Sequence, residues 1–420
     1  MGSEWNEITL GEFIRLQRGH DLPASERRPG TVPVVGSAGV NGYHDTALAK
    51  APGLTIGRSG VGSMGVVTYV DADYWPHNTV LFATDFLGND PRFAYYFLKH
   101  VDLRRYNSGS VQAQLNRNYI YPVPIRVPTP SGQRAIAAVL GALDDKIELN
   151  RRMNATLEAM ARALFQSWFV DFDPTRAKLD GGAPAGLDPA TAELFPSAFQ
   201  DSSLGPIPLG WEVSTIGQIA RVIDCLHAKK PERCETGRLY LQLNNIRDDG
   251  LIEIADSFLI SEADYEKWTC RMEAVEGDCV ITNVGRVGAV AQIPVGVRGA
   301  LGRNMTGIRC REDFRFPTFL IECLLSSAMR EEIRMKMDAG TILDALNVKN
   351  IPRLRFIQPP SEVAAQFEAL ARPLRRKMEQ NITESRTLAA LRDTLLPKLL
   401  SGELTLATLG GYLPTLENFD

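Results

Sequence analysis

The chain carries one pattern twice. Near its start stands Trp5-Asn6-Glu7-Ile8-Thr9-Leu10-Gly11-Glu12-Phe13-Ile14, and halfway along stands Trp211-Glu212-Val213-Ser214-Thr215-Ile216-Gly217-Gln218-Ile219-Ala220. Each copy continues through a glycine-punctuated, β-rich stretch and ends in a long helix with periodic apolar residues. Gly109 to Ile120 aligns without a gap on Gly340 to Ile351, which puts Leu115 on Leu346, Asn116 on Asn347 and Ile120 on Ile351. The same offset carries Pro128 onto Pro359, Ile136 onto Phe367, Asn150 onto Asn381, Leu157 onto Leu388 and Leu164 onto Leu395. Upstream, smaller offsets pair Asn78 with Asn304 and Gly60 with Gly285, as loop insertions require. A period near half of 420 residues is far longer than a solenoid repeat, so it marks a duplicated domain. Two related halves imply two similar working ends about a pseudo-two-fold axis. That suits a ligand with two spaced half-sites, of which DNA is the commonest.

Four blocks and a linker follow from the pattern. The first block mixes strand-like runs (Leu54-Thr55-Ile56, Val66 to Val70, Val80 to Ala83) with turns, and one helix is predicted from Pro91 to His100. The first long helix is read over 131–168, with Ile136, Leu140, Leu143, Ile147, Leu157 and Leu164 on one seam beside Asn150. The second is read over 362–400, with Phe367, Leu374, Met378, Leu388 and Leu395 on its seam beside Asn381. Pro373 should kink or delay it, and Pro397 and Gly402 should mark its end. Matched seams should pair, and a buried Asn in each would fix the register. About 30 helical residues at 1.5 Å each span roughly 45 Å, a little more than one turn of B-DNA. The Pro- and Gly-rich stretch 174–209 reads as a tether over the surface. The expected fold class is therefore α+β: two related α/β domains separated by a pair of long antiparallel coiled-coil helices, pseudo-two-fold symmetric.

Composition narrows the function. The longest apolar run, Ala135 to Leu143, is too short to span a bilayer, and the start of the chain lacks a signal-peptide pattern, so a cytoplasmic protein is expected. Six cysteines lie in the second half at spacings too wide for a zinc knuckle; no metal is expected. The net charge of −4 is low for a nucleic-acid binder. Residues 1–128 hold 12 basic and 11 acidic side chains, and residues 210–358 hold 20 and 21, so any DNA surface must come from local clusters such as Arg104-Arg105 and the region to Arg303. Other subunits would then supply much of the phosphate grip.

Gly60-Val61-Gly62-Ser63-Met64-Gly65 spells a dinucleotide fingerprint, but the strand-forming Val66 to Val70 follows where a helix is needed. A β-hairpin turn is expected instead, carrying Arg58, with Arg286 in the duplicate. No catalytic or metal constellation appears. Polar clusters precede each exit strand: Gln112, Gln114, Asn116, Arg117 and Asn118 in the first copy, Asn347, Lys349 and Asn350 in the second. Such side chains can make bidentate contacts to base edges, and a solvated loop is the plainer alternative. With Arg58, Asn78, Arg104, Arg105, Arg286, Arg303 and Asn304 they form the candidate DNA-binding set. Two other classes stay open: a coiled-coil scaffold without DNA contact, and a small-ligand enzyme using the Gly57–Gly65 loop.

Four stretches carry a resemblance: Trp5…Leu10-Gly11…Ile14, Gly205-Pro206-Ile207-Pro208-Leu209-Gly210-Trp211, Leu164-Phe165-Gln166-Ser167-Trp168-Phe169-Val170-Asp171-Phe172-Asp173-Pro174, and Leu395-Leu396-Pro397-Lys398-Leu399-Leu400-Ser401-Gly402, with Gln133-Arg134-Ala135-Ile136-Ala137 opening the first helix. Together the chain resembles the specificity subunit of type I restriction–modification enzymes. The resemblance implies target-recognition domains at 1–128 and 210–358, spacer helices at 129–173 and 359–402, a linker at 174–209 and a tail at 403–420. It implies double-stranded DNA, two methyltransferase subunits and restriction/translocase subunits as partners. S-adenosylmethionine, ATP and Mg would be used by those partners, the chain itself being non-catalytic and without a cofactor. No base-contact residue carries over by motif.

Overall fold

The computed structural model describes residues 5–109, 113–337 and 345–404. The chain divides into two compact units, Met1–Glu148 with Thr387–Asp420, and Leu149–Arg386. Among the described residues, no helix is long and apolar enough to cross a membrane.

In the first unit β1 (Trp5–Thr9) runs into a one-turn helix, α1 (Leu10–Phe13). The sequence Thr-Leu-Gly-Glu closes on itself: Thr9 N–H donates to Glu12 Oε2 at 2.7 Å, and Glu12 N–H donates back to Thr9 Oγ1. There follow β2 (Arg15–Arg18), β3 (Val32–Gly36), β4 (Gly39–His44), β5 (Gly53–Gly57), β6 (Val67–Val70), β7 (Trp75–Pro76) and β8 (Val80–Asp85). Helix α2 covers Pro91–His100, the residues expected, with Asp90 capping Phe93 N–H at 2.8 Å. A short α3 (Arg117–Ile120), β9 (Pro124–Pro128) and the long α4 (Pro130–Phe169) complete the run. The strands form a four-stranded sheet in the order β2-β8-β5-β6, a second in the order β4-β3-β7, and the pair β1-β9. Between sheet and helices sits one core containing Leu10, Phe13, Leu54, Phe93, Ile136, Leu140 and, from the chain's far end, Leu399 and Leu400.

The second unit repeats this plan. After α5 (Asp173–Leu179), α6 (Pro189–Glu193), β10 (Phe199–Gln200) and β11 (Ile207–Pro208) come β12 (Glu212–Thr215) and α7 (Ile216–Ile219). Thr215 N–H donates to Gln218 Oε1 at 2.8 Å, the same local closure as in the first copy. Then follow β13 (Ala220–Asp224), β14 (Arg238–Leu241), β15 (Phe258–Ile260), α8 (Glu262–Trp268), β16 (Glu273–Ala274), β17 (Cys279–Thr282), β18 (Val290–Gln292), β19 (Gly299–Leu301) and β20 (Met305–Cys310). Helices α9 (Pro317–Leu325) and α10 (Ser327–Lys336), β21 (Arg355–Gln358) and α11 (Ser361–Ser401) close the chain. The sheet β13-β20-β17-β18 matches β2-β8-β5-β6, the pair β12-β21 matches β1-β9, and β15-β14-β19-β16 matches β4-β3-β7 with one strand added. Even the parallel pairing recurs, β3 with β7 and β14 with β19. The fold is thus mixed: two sheet-rich domains, each followed in the sequence by a long helix.

Within each unit the segments of α4 and α11 pack together. In the first, Arg392 Nη1 donates to Asp144 and the Ile136–Leu140 turn shares a core with Leu395–Leu400. In the second, Phe165 and Trp168 of α4 meet Phe367 of α11. Rising numbers on α4 meet falling numbers on α11 in both, so the segments run antiparallel.

Several sequence expectations need correction. The stretch 174–209 is no bare tether: it forms two short helices and a hairpin, and it sends Phe195 and Ile207 into the second unit's core beside Phe172 and Trp211. Helix α11 runs on through Pro373, because the apolar face of Val363, Phe367 and Ala371 is fully buried and outweighs one missing backbone bond. It also passes Pro397; Gly402, at φ +77°, ends it. Helix α4 begins at Pro130, one residue before the Ser131 start, since proline suits a first turn. The tail beyond Leu404 lies outside the described residues.

Candidate nucleic-acid interface

The glycine-rich loop is a hairpin mouth. Gly57 N–H bonds to Val66 O at 2.7 Å and Gly65 N–H to Gly57 O at 2.8 Å, and β5 pairs antiparallel with β6. A Cβ on Gly57 would lie 2.0 Å from Ser63 O, so only glycine allows this closure. A strand follows the loop, and no helix N-terminus meets it. The duplicate, between β17 and β18, is also an antiparallel hairpin.

Hydrogen bonds fix which residues of the two copies are equivalent. Arg58 N–H donates to Thr79 O at 2.8 Å and Arg58 O accepts from Leu115 N–H at 2.7 Å. In the second unit Asn283 N–H donates to Asn304 O at 2.8 Å and Asn283 O accepts from Leu346 N–H at 2.9 Å. Leu115 and Leu346 are therefore true counterparts, both 1% exposed. Asn304, however, answers Thr79, so its pairing with Asn78 is off by one. Arg58 answers Asn283, not Arg286.

The polar candidates divide by what they already do. Asn116 and Asn347 cap short helical turns, accepting from Asn118 N–H and Lys349 N–H at 3.0 Å each. Asn350 donates to Lys336 O at 3.0 Å. Arg117 donates to Leu16 O at 2.8 Å, and Gln114 is bridged to Ser59 through its backbone. Arg286 is committed to Ile246 O and Asp248. Asn78 donates to Asp21 Oδ1 at 2.7 Å, and Arg105 lies 3.5 Å from Asp102. Arg104, Asn118, Lys349 and Arg303 are exposed, and Asn304 is half-buried with φ +64°. Gln112 lies outside the described residues.

Sequence reasoning passed over Arg18. It ends β2, its Nε reaches Asn78 O at 3.4 Å, and it lies beside Arg58 across the start of β8. Burial, and then the Arg18 charge, pull the half-buried Arg58 guanidinium below its ordinary value. The signal was available in register alone: Arg18 faces Leu81 on β8, as Asp224 faces Thr306 on β20.

Asp224 belongs to the described residues' one cluster of potential metal ligands, with Cys225 and His227. Its carboxylate is already matched by His227 Nε2 at 2.7 Å and by Arg271 at 3.9 Å. All six cysteines are free thiols.

The seam residues occupy the packed face of each helix. Ile136, Leu140, Phe367 and Met378 are buried; Leu143, Ile147, Leu157, Leu164, Leu374, Leu388 and Leu395 are half-buried. Asn150 and Asn381 are 1% and 0% exposed. Asn381 Nδ2 donates to Asn154 Oδ1 at 2.8 Å, Asn154 Nδ2 to Met378 O at 3.1 Å, and Asn150 Nδ2 to Glu384 Oε2 at 2.8 Å. Each domain is pinned to its helix by polar contacts as well. Tyr96 Oη donates to Asp144 at 2.6 Å and Arg92 to Asp145 at 2.9 Å in the first unit; Arg375 pairs with Glu322 at 2.9 Å in the second.

Residues 2–159 match the type I restriction modification DNA specificity domain. The chain as a whole is a relative of type I specificity subunits. It is 27% identical over 318 residues to the type I restriction enzyme MjaIX specificity subunit of Methanocaldococcus jannaschii, covering 74% of this chain and 68% of that one. It is 25% identical over 333 residues to the HindI specificity subunit of Haemophilus influenzae, covering 69% and 71%. It shares its fold with the S subunit of a type I restriction–modification system from M. genitalium, at TM-score 0.64 and 18% identity over 94% of this chain and 96% of that one.

Proposed function

We propose that the chain reads a bipartite, asymmetric DNA target, one sheet domain per half-site, and docks adenine-methylating subunits through α4 and α11. Support comes from the duplication: two domains of one topology carry different loops, as two different half-sites require. The names of the curated relatives support the assembly. On this reading the chain is the non-catalytic subunit of a cytoplasmic complex. Two methyltransferase subunits use S-adenosylmethionine, and restriction/translocase subunits use ATP and Mg. The single observation that carries the proposal is the recurrence of the β2-β8-β5-β6 order as β13-β20-β17-β18.

Methylome sequencing of cells with and without the chain tests it. A split methylated motif should vanish on deletion. Exchanging residues 210–358 for those of a relative should change one half of the motif and leave the other. A continuous motif, or no change on deletion, would refute the proposal, and so would failure to co-purify a methyltransferase from the native host.

A further inference from the structure

The two domains share a sheet but not its charge. Strand register makes Arg18 the counterpart of Asp224, and the backbone bonds make Arg58 the counterpart of Asn283. In the second unit both positions are engaged by neighbours within the domain. Asn283 is 7% exposed, donates to Leu346 O at 3.1 Å and accepts from Thr306 Oγ1 at 2.9 Å; Asp224 is held by His227. In the first unit two guanidiniums flank the start of β8. Neither forms an ion pair among the described residues, and Asp21, which shares Asn78 with Arg18, already accepts from Asn78 Nδ2. Arg58's charged neighbour is another cation, and it is half withdrawn from water. Two like charges so placed raise the free energy of the unliganded domain, and an anion between them relieves it.

We propose that Arg18 and Arg58 form a phosphate clamp on the DNA backbone, present in the first domain and missing from the second. The inference rests on the DNA-reading proposal and adds an asymmetry to it: at this end of the sheet the first domain supplies a sequence-independent grip that the second lacks. This places local positive charge on a chain whose net charge is −4.

Binding of the full-length chain to a random-sequence duplex, followed by fluorescence anisotropy across a KCl series, tests the clamp. Each neutralised phosphate steepens the dependence of log K on log salt by about 0.9. Arg18→Ala and Arg58→Ala should each flatten the slope by that amount, and the double variant by about 1.8. Each should weaken binding about fivefold at ~0.15 M salt. Arg18→Lys and Arg58→Lys should keep the slope. Arg334→Ala, at an arginine outside the candidate set that is ion-paired with Glu331, should leave it unchanged. Should Arg58→Ala fail to fold, the exposed Arg18 carries the test. Wild-type slopes in the alanine variants overturn the clamp, as does a loss confined to one cognate sequence, the mark of a base contact. Both results leave the wild-type chain bound to DNA. If the wild-type chain binds no duplex even at low salt, the DNA-reading proposal itself fails.

Discussion

Asn381→Ala tests whether the polar seam fixes the pairing of α4 and α11. Asn381 is fully buried, and its Nδ2 is the partner of Asn154 Oδ1 at 2.8 Å. Removing it strands a buried acceptor, which costs about 1–3 kcal/mol. For a domain the size of the second unit, each kcal/mol moves the melting temperature by roughly 2–4 °C. A loss of about 2 kcal/mol therefore lowers that unit's transition by ~4–8 °C in differential scanning calorimetry. The converse is more telling. Asn150 Oδ1 and Asn381 Oδ1 are buried without a partner even in the native chain. Replacing Asn150, Asn154 and Asn381 together by Leu removes both of these orphaned amide oxygens at once. That triple variant should melt no lower than wild type, while losing the seam's asparagine register marks. Two results refute the reasoning: Asn381→Ala within about 0.5 kcal/mol of wild type, or a triple variant less stable than the single one.

Arg375→Met leaves Glu322, 5% exposed, without its partner and frees Gly250 O; a loss of about 3–5 kcal/mol is expected in urea unfolding, largely recovered by adding Glu322→Leu. Asp45 is held down to about 2 from 3.8, first by its bond to Arg28. A depressed carboxyl stabilises above its unfolded pKa and loses that stability as pH falls through its folded value. The stability gap between wild type and Asp45→Asn should therefore close between pH 3.8 and about 2, as near-UV circular dichroism will show. Among the thiols, burial pushes Cys310 and Cys323 up to about 12 and Cys279 well above its usual value, whereas Cys270 is exposed. Iodoacetamide followed by peptide mass spectrometry should label Cys270 in the native protein, and Cys279 and Cys323 only after unfolding.

What could be read without coordinates was whatever local physics repeats. Thr9 with Glu12 and Thr215 with Gln218 announce the same capped turn, and apolar residues three and four apart announce α4 and α11. Leu115 and Leu346 align because both must fill the same buried place. Single apolar residues in a Pro- and Gly-rich context announce nothing. Phe195 has no periodic companions, and its burial follows from the aromatic pocket of Trp168 and Trp211, which exists only after folding. The candidate interface was only partly legible for a related reason. Asn116 and Asn347 look like base readers by residue type, yet an Asn before a helical turn satisfies a backbone N–H first. Arg58 and Arg286 look equivalent because each sits by a glycine-rich loop, but pairing Gly60 with Gly285 already puts Arg58 on Asn283. The ladder bonds assign Arg58 to Asn283 and leave Arg286 tied to Asp248. Arg18 carries no motif at all. Its significance lies in the side chain it stands beside and in the acid its counterpart has become, and both are facts of strand register rather than of sequence. A duplicated fold thus preserves the residues that build it and frees those at the sheet end, which is where two copies of one domain can come to hold different ligand halves.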